Sequence, residues 1–364
     1  MSLLKKIRNA VLIILAVAVA AACCFIGFLA ITEYKPEQTV DLTVESTSSN
    51  TGVRSLQTGD SIRIVTMNIG FAALDKDQDF FMDGGQMSVT SSEERVVETT
   101  DAIIEQINSL DADAVLIQEI DVSSRRSYYF NEYAEFTSEN GFQKANSAFA
   151  INFKCEFVPY PLKGMLGKVH SGIATFTDFA VESAVREALP IPFKWPVSMA
   201  NLKRCLLVER IPVEGTDRQL VLINLHLEAY DEGEGKTAQT AVLVQLMKDE
   251  YAKGNYVIAG GDFNQSFDGV DEEKYAVKNP DLWAPADMDL SALSSDWQTA
   301  FDDSVPTCRL LNQPYDPASA DTQYYVIDGF IISPNVNVDA VKTVDAEFEY
   351  SDHNPVVLDI TLAE

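Results

Sequence analysis

The hydrophobic and polar positions divide the chain into three unlike parts. Residues 10–32 form an apolar run of 23 residues without a charge, and about 20 such residues span a bilayer as a helix. Residues 33–60 are rich in Thr and Ser, contain Pro36 and have no aromatic residue after Tyr34. A segment of that composition cannot bury enough surface to fold alone, so it is expected to be a flexible linker. Residues 61–364 alternate strand-like and helix-like patterns. Predicted strands lie at 62–68, 114–119, 172–176, 205–213, 220–227, 256–260, 325–332 and 355–362. They are rich in Val, Ile and Leu, and several are apolar on both faces, as buried strands are. One predicted helix starts near Ser91, with Glu94 completing a capping box, and carries Val97, Ile103, Ile104, Ile107 and Leu110 at helical spacing. A second covers 236–253 and stops at Gly254. The pattern predicts an α/β domain whose sheets are covered by helices.

Charge sets compartment and partners. Lys5, Lys6 and Arg8 precede the apolar run, so by the positive-inside rule residues 1–9 stay in the cytoplasm and the domain is exported. A cleaved signal peptide has an apolar core of about 7–15 residues. Here the run continues through Phe25, Ile26, Phe28, Leu29 and Ile31, which favours a single-pass anchor over cleavage or lipidation at Cys23. The net charge is −28, from 55 acidic and 27 basic residues. That argues against a generic polyanion binder, because phosphate backbones are held mainly by Lys and Arg, and no stable nucleic-acid complex is expected. Residues 142–210 run against this trend with nine basic and five acidic residues, whereas 271–303 carry nine acidic residues among eleven charged ones. The five cysteines, at irregular spacing, form neither a zinc site nor a disulfide framework.

The chain has no G-x-G-x-x-G after the first strand, no P-loop and no G-x-S-x-G elbow. Polar groups instead gather where apolar strands begin or end: Asn68, Gln118-Glu119, Asn224-Leu225-His226, Gly261-Asp262-Phe263-Asn264, Ile327-Asp328 and Ser351-Asp352-His353. The three histidines, His170, His226 and His353, all stand beside these strands. Taken singly, each group reads as a turn residue or cap. Together, an amide, several carboxylates and two imidazoles suit a hard cation with phosphate chemistry. Mg²⁺ prefers oxygen ligands and keeps several waters, while imidazole and amide groups stabilise charge on a phosphoryl group.

In this order the set resembles the endonuclease/exonuclease/phosphatase superfamily, which includes pancreatic deoxyribonuclease, abasic-site endonucleases, inositol polyphosphate 5-phosphatases and bacterial sphingomyelinases. The resemblance covers nearly all of residues 61–364. It implies a four-layer α/β/β/α sandwich of two packed mixed sheets, here preceded by the N-terminal transmembrane helix. It also implies Mg²⁺, with Mn²⁺ as a substitute, bound or positioned by Asn68 and Glu119 with Asp352 nearby. His226 would contact the scissile phosphate, Asp262 would orient and activate water, and Asn264 would hold a phosphate oxygen. Asp328 would pair with the ring of His353, which stabilises the transition state. Arg126 and His170 are further candidates for substrate binding. The implied activity is hydrolysis of a phosphodiester or phosphomonoester outside the cytoplasmic membrane, on a small or lipid-headgroup substrate. An exported deoxyribonuclease and a non-catalytic binding protein on the same fold are the alternatives. Residues 71–92 depart from the common core and are expected to form a lid, a pocket wall or a packed surface loop.

Overall fold

Strands that are apolar on both faces must be covered on both faces, and this requirement organises the domain. A computed structural model describes residues 3–48, 52–231 and 233–364. Two mixed sheets pack face to face. The seven-stranded sheet runs, in spatial order, Val336–Thr343, Val356–Leu362, Ser61–Asn68, Ala114–Asp121, Gly167–Thr177, Asn146–Val158 and Glu45–Ser46. The other runs Thr39–Leu42, Ser183–Ala188, Cys205–Glu214, Gln219–His226, Tyr256–Asp262, Asp328–Ile332 and Gln298–Ala300, with Leu56–Gln57 pairing beside Cys205–Glu214.

Alternation along each strand sends neighbouring side chains to different layers. Ile64, Leu116, Leu222, Ile258 and Phe330 meet between the sheets. Val65, Val115 and Ile117 turn outward against Val96, Ile103 and Ile107 of the helix Glu93–Ser109. On the other face Val221, Ile223 and Val257 meet Leu243 and Met247 of the helix Glu234–Ala252. The result is the expected α/β/β/α sandwich. Burying each such Leu, Ile or Phe contributes about 1.5–3 kcal/mol. The first helix begins one residue later than its sequence signature, with Ser92 as the N-cap accepting from the Arg95 amide at 3.3 Å.

The N-terminal apolar run belongs to a helix, Leu3–Thr32, long and apolar enough to cross a membrane. The following residues depart from the expected linker. Thr39–Leu42 pairs with Ser183–Ala188 in one sheet, and Glu45–Ser46 pairs with Asn146–Val158 in the other. Residues 49–51, inside that expected linker, lie outside the described residues, as do Met1 and Ser2 of the expected cytoplasmic segment. Glu33 accepts an ion pair from Lys203 at 3.1 Å, with both side chains largely shielded. The segment lacks apolar surface of its own, and the sheet edges supply its order.

Candidate active site

Two parallel strand pairs, one in each sheet, end at the same place. Asn68 closes Ser61–Asn68 opposite Gln118, and His226 closes Gln219–His226 opposite Asp262. Antiparallel pairing then sets Asp328 opposite Asp262. Beneath these ends Gln118 donates to Asn224 Oδ1 at 2.8 Å, and Asn224 donates to Ala174 O at 2.8 Å, a buried amide bridge that joins the two sheets. Two devices aim the groups above it. The pairing of Ala114–Asp121 with Gly167–Thr177 shifts register between Ile117 and Ile120, and a bulge there re-aims a side chain. Glu119 holds φ 59° and Asn264 φ 51°, left-handed values that cost energy and cluster at functional sites. Gly261, at φ 148°, is required by packing, because a Cβ there would stand 2.0 Å from Leu225 O.

The site residues form one connected group. Asn68 Nδ2 donates to Asp262 Oδ2 at 3.0 Å and to Glu119 Oε1 at 3.3 Å. His226 Nε2 lies 3.5 Å from Asp262 Oδ2 and 4.0 Å from Glu119 Oε1, while its Nδ1 has no partner among the described residues. Asn264 donates its side-chain amide to Leu227 O and its backbone N–H to Asp262 Oδ1, both at 2.9 Å. His353 Nδ1 lies 2.9 Å from Asp328 Oδ2, and its Nε2 lies 3.8 Å from Asp262 and 3.9 Å from Asp352.

Burial and neighbouring charge separate the two imidazoles. Burial, reinforced by Arg204 and by His353, drives the His226 pKa well below its ordinary value, so this ring is neutral. Burial also opposes charge on His353, but the Asp328 carboxylate overrides it and holds the pKa well above the usual range. Asp262 is raised to about 7 by burial and by Asp328, which puts its proton affinity near neutral pH. Asp352 is raised to about 6 by burial, with the facing Glu119 adding to the rise.

Two carboxylates aimed into one cavity, one made more basic by the other, form an oxygen-rich setting suited to a hard divalent cation. Two sets of candidate ligand atoms lie within 4.8 Å of one another among the described residues: Asp262, Asp328 and His353, and Cys308, Asp352 and His353. Asn68 stands among these groups: its oxygen accepts the Gly70 N–H at 3.0 Å, and its nitrogen donates to Glu119 and Asp262.

Asn68, Glu119, His226, Asp262, Asn264, Asp352 and His353 line a cavity of about 640 Å³. Arg126 lines it, but its guanidinium is held in a double hydrogen bond to Asp121 at 2.9 and 3.0 Å, stacked over Phe71, and 3.8 Å from Glu119. His170 does not line it. That ring is partly buried, with Nε2 unpartnered among the described residues, and burial with Lys154 and Lys168 nearby lowers its pKa. Residues 71–92 supply a wall through Phe71, Leu74, Phe80, Phe81, Met82 and Asp83. Sequence reasoning missed Tyr230, whose hydroxyl donates to Asp83 at 2.8 Å, and Glu228, which pairs at 3.3 Å behind His226 with Arg204 of the basic stretch. It also missed Phe25, Ile26 and Leu29 of the apolar helix on the same wall. Asp83, in the unusual Phe80-Phe81-Met82-Asp83-Gly84-Gly85 stretch, was the one signal available.

Comparison with known proteins gives a family and a fold. The model of the Endonuclease/Exonuclease/phosphatase family matches residues 65–353. No curated protein sequence matches the chain. Among solved structures, an endonuclease/exonuclease/phosphatase from Beutenbergia cavernae is similar, with 17% identity and a TM-score of 0.55, over 83% of this chain and 72% of that one. A TDP2 structure from Caenorhabditis elegans has 14% identity and a TM-score of 0.49, over 84% and 75%. An endonuclease/exonuclease/phosphatase from Bacteroides vulgatus has 15% identity and a TM-score of 0.47, over 83% and 99%.

Proposed function

Since the chain belongs to the endonuclease/exonuclease/phosphatase family, whose members are in general metal-dependent phosphoester hydrolases, we propose that it is a Mg²⁺-dependent phosphoesterase. It hydrolyses a phosphodiester or phosphomonoester of a small or lipid-headgroup substrate, outside the cytoplasmic membrane. The observation that carries this reading is the convergence of Asn68, Glu119, His226, Asp262, Asn264, Asp328, Asp352 and His353 at one end of the sandwich.

Glu119 and Asp352 are the groups that would hold the ion, with Asn68 fixing the first of them. When bound, the ion neutralises phosphate charge and stabilises the leaving oxygen. The chain's own residues account for the rest. Asp262, with its proton affinity near neutral pH, takes the proton of the attacking water. Cationic His353, fixed by Asp328, donates to an equatorial oxygen of the phosphoryl group through Nε2. Neutral His226 donates from one ring nitrogen to the same group, and both act as preorganised donors. The side-chain amide of Asn264 has two N–H donors: one is given to Leu227 O, and the second serves a phosphate oxygen.

The basic stretch supports a small or lipid substrate over a long nucleic acid. Four of its cations are committed to acids: Lys144 to Asp178, Lys203 to Glu33, Arg204 to Glu228 and Arg210 to Glu250. The purified protein, with Mg²⁺ or EDTA, is tested against aryl phosphodiesters, phosphomonoesters, phospholipids and DNA. Metal-dependent hydrolysis of a non-nucleic phosphoester is expected, and DNA as the one good substrate would replace this reading.

A further inference from the structure

The hollow that holds Glu119, Asp262 and His353 continues between Phe81, Met199 and Leu202 to Phe25, Ile26 and Leu29 of the N-terminal helix. Phe25 packs edge-on against Phe157, with ring centroids 6.0 Å apart, and Leu29 joins a cluster with Phe153, Val169 and Met199. The helix is therefore part of the cavity wall.

Its depth follows from helix geometry. At 1.5 Å per residue the 23-residue uncharged run is about 35 Å long, against about 30 Å of bilayer hydrocarbon. Phe25 to Leu29 sit about 5–10 Å below the Thr32 end, at the depth of acyl chains just beneath the headgroups. Strongly exposed apolar residues belong to the same lining: Tyr160 and Val197 are each 57% exposed, and near them in sequence Leu162 is 82% and Trp195 66% exposed. Exposed Lys194 and Lys163 adjoin them. Aromatic residues with neighbouring lysines are the composition of a membrane–water interface.

We infer that the apolar arm of the catalytic cavity seats an acyl chain of a membrane phospholipid, with the N-terminal helix forming one wall of the substrate site. This rests on the phosphoesterase reading for the chemistry at the polar end, but the chain seat stands on the arm itself. The headgroup phosphate faces Glu119 and His353, while the chain lies along Phe81, Met199 and Leu29 and leaves the bilayer only in part. Phe25, Leu29 and Ala200 then set chain preference.

The test uses the full chain in nanodiscs of phosphatidylcholine and phosphatidylglycerol. A phosphatidylcholine with a diazirine near the chain end is photolysed, and crosslinks are mapped by mass spectrometry. Labelling is expected within residues 80–82 and 199–202, which lie outside the helix, and should fall on Ala200→Phe and Leu29→Phe substitution. In parallel, kcat/KM is compared for long-chain and methyl phosphodiesters. The long-over-short ratio should fall about tenfold in each variant, and short-chain turnover reports that each variant is folded. Absence of these crosslinks, or a ratio unchanged in both variants, overturns the chain seat. Crosslinking without hydrolysis of any phosphoester defeats the proposed reaction and leaves the seat standing.

Discussion

Asp328 Oδ2 lies 2.9 Å from His353 Nδ1, and the opposite ring nitrogen points toward Asp262 at 3.8 Å. The two residues stand 25 positions apart in sequence. Asp328 leads its strand beside Asp262, and His353 precedes the strand Val356–Leu362 of the other sheet. One carboxylate thus fixes a ring that spans the gap between sheets. Asp328→Asn should lower kcat by about tenfold or more while KM changes little, as expected for an interaction that matters in the transition state. The double mutant with His353→Gln should lose no more than His353→Gln alone. Additive losses would show that the two residues act independently.

Glu119 carries the metal assignment. Glu119→Gln keeps shape and removes the charge, so activity should fall about 100-fold or more. The rise in Tm that Mg²⁺ produces by binding the folded state should disappear as well. Retention of that rise, with activity lost, would move the ion to other ligands.

Glu209 makes stability depend on pH. It is fully buried in Cys205–Glu214, both carboxylate oxygens lack partners among the described residues, and burial raises its pKa from 4.5 to about 8. The folded state therefore holds this proton more tightly than the unfolded state. The resulting stability is complete below about pH 4.5 and is lost as pH rises through about 8. Since one pKa unit corresponds to about 1.4 kcal/mol, Glu209→Gln should gain several kcal/mol on the wild type between pH 5 and 9. Parallel Tm–pH curves for the two proteins would refute this.

Two glycines offer a matched contrast. Gly261→Ala would drive its Cβ into Leu225 O beside Asp262 and should cost roughly 3 kcal/mol or more. Gly254, at φ 90°, has open space around its missing Cβ, so Gly254→Ala should cost only about 1–2 kcal/mol. Denaturant midpoints for both variants measure the difference.

Orientation is tested on cells. With Lys5, Lys6 and Arg8 inside, protease added to intact protoplasts should remove the domain. Full protection of the domain behind an unbroken membrane would reverse the proposed topology.

The strands that hold the site were legible because they are apolar on both faces, and a Val- or Ile-rich run interrupted by Asn68, Asp262 or Asp328 stands out. Asn146–Val158, a strand of 13 residues, was not legible. It mixes Asn, Ser and Lys among its apolar positions, and its pairing with Gly167–Thr177 holds it in place. Thr39–Leu42 was read as linker for a related reason, since its order comes from Ser183–Ala188. The bulge that aims Glu119 left no mark in residue type. Nor did the role of Phe25 and Leu29, because a run that is apolar all round does not show which face meets protein.

The pairing of Thr39–Leu42 and Glu45–Ser46 with opposite sheets, with the Glu33–Lys203 pair between helix and domain, leaves little slack above the helix. With the helix in a bilayer, the mouth of the cavity is then held close to the membrane surface. For the proposed phospholipid substrate, encounters become two-dimensional: turnover should follow the surface density of substrate in the leaflet that the domain faces and its lateral diffusion, and diluting the vesicles at fixed lipid composition should leave the rate per protein unchanged.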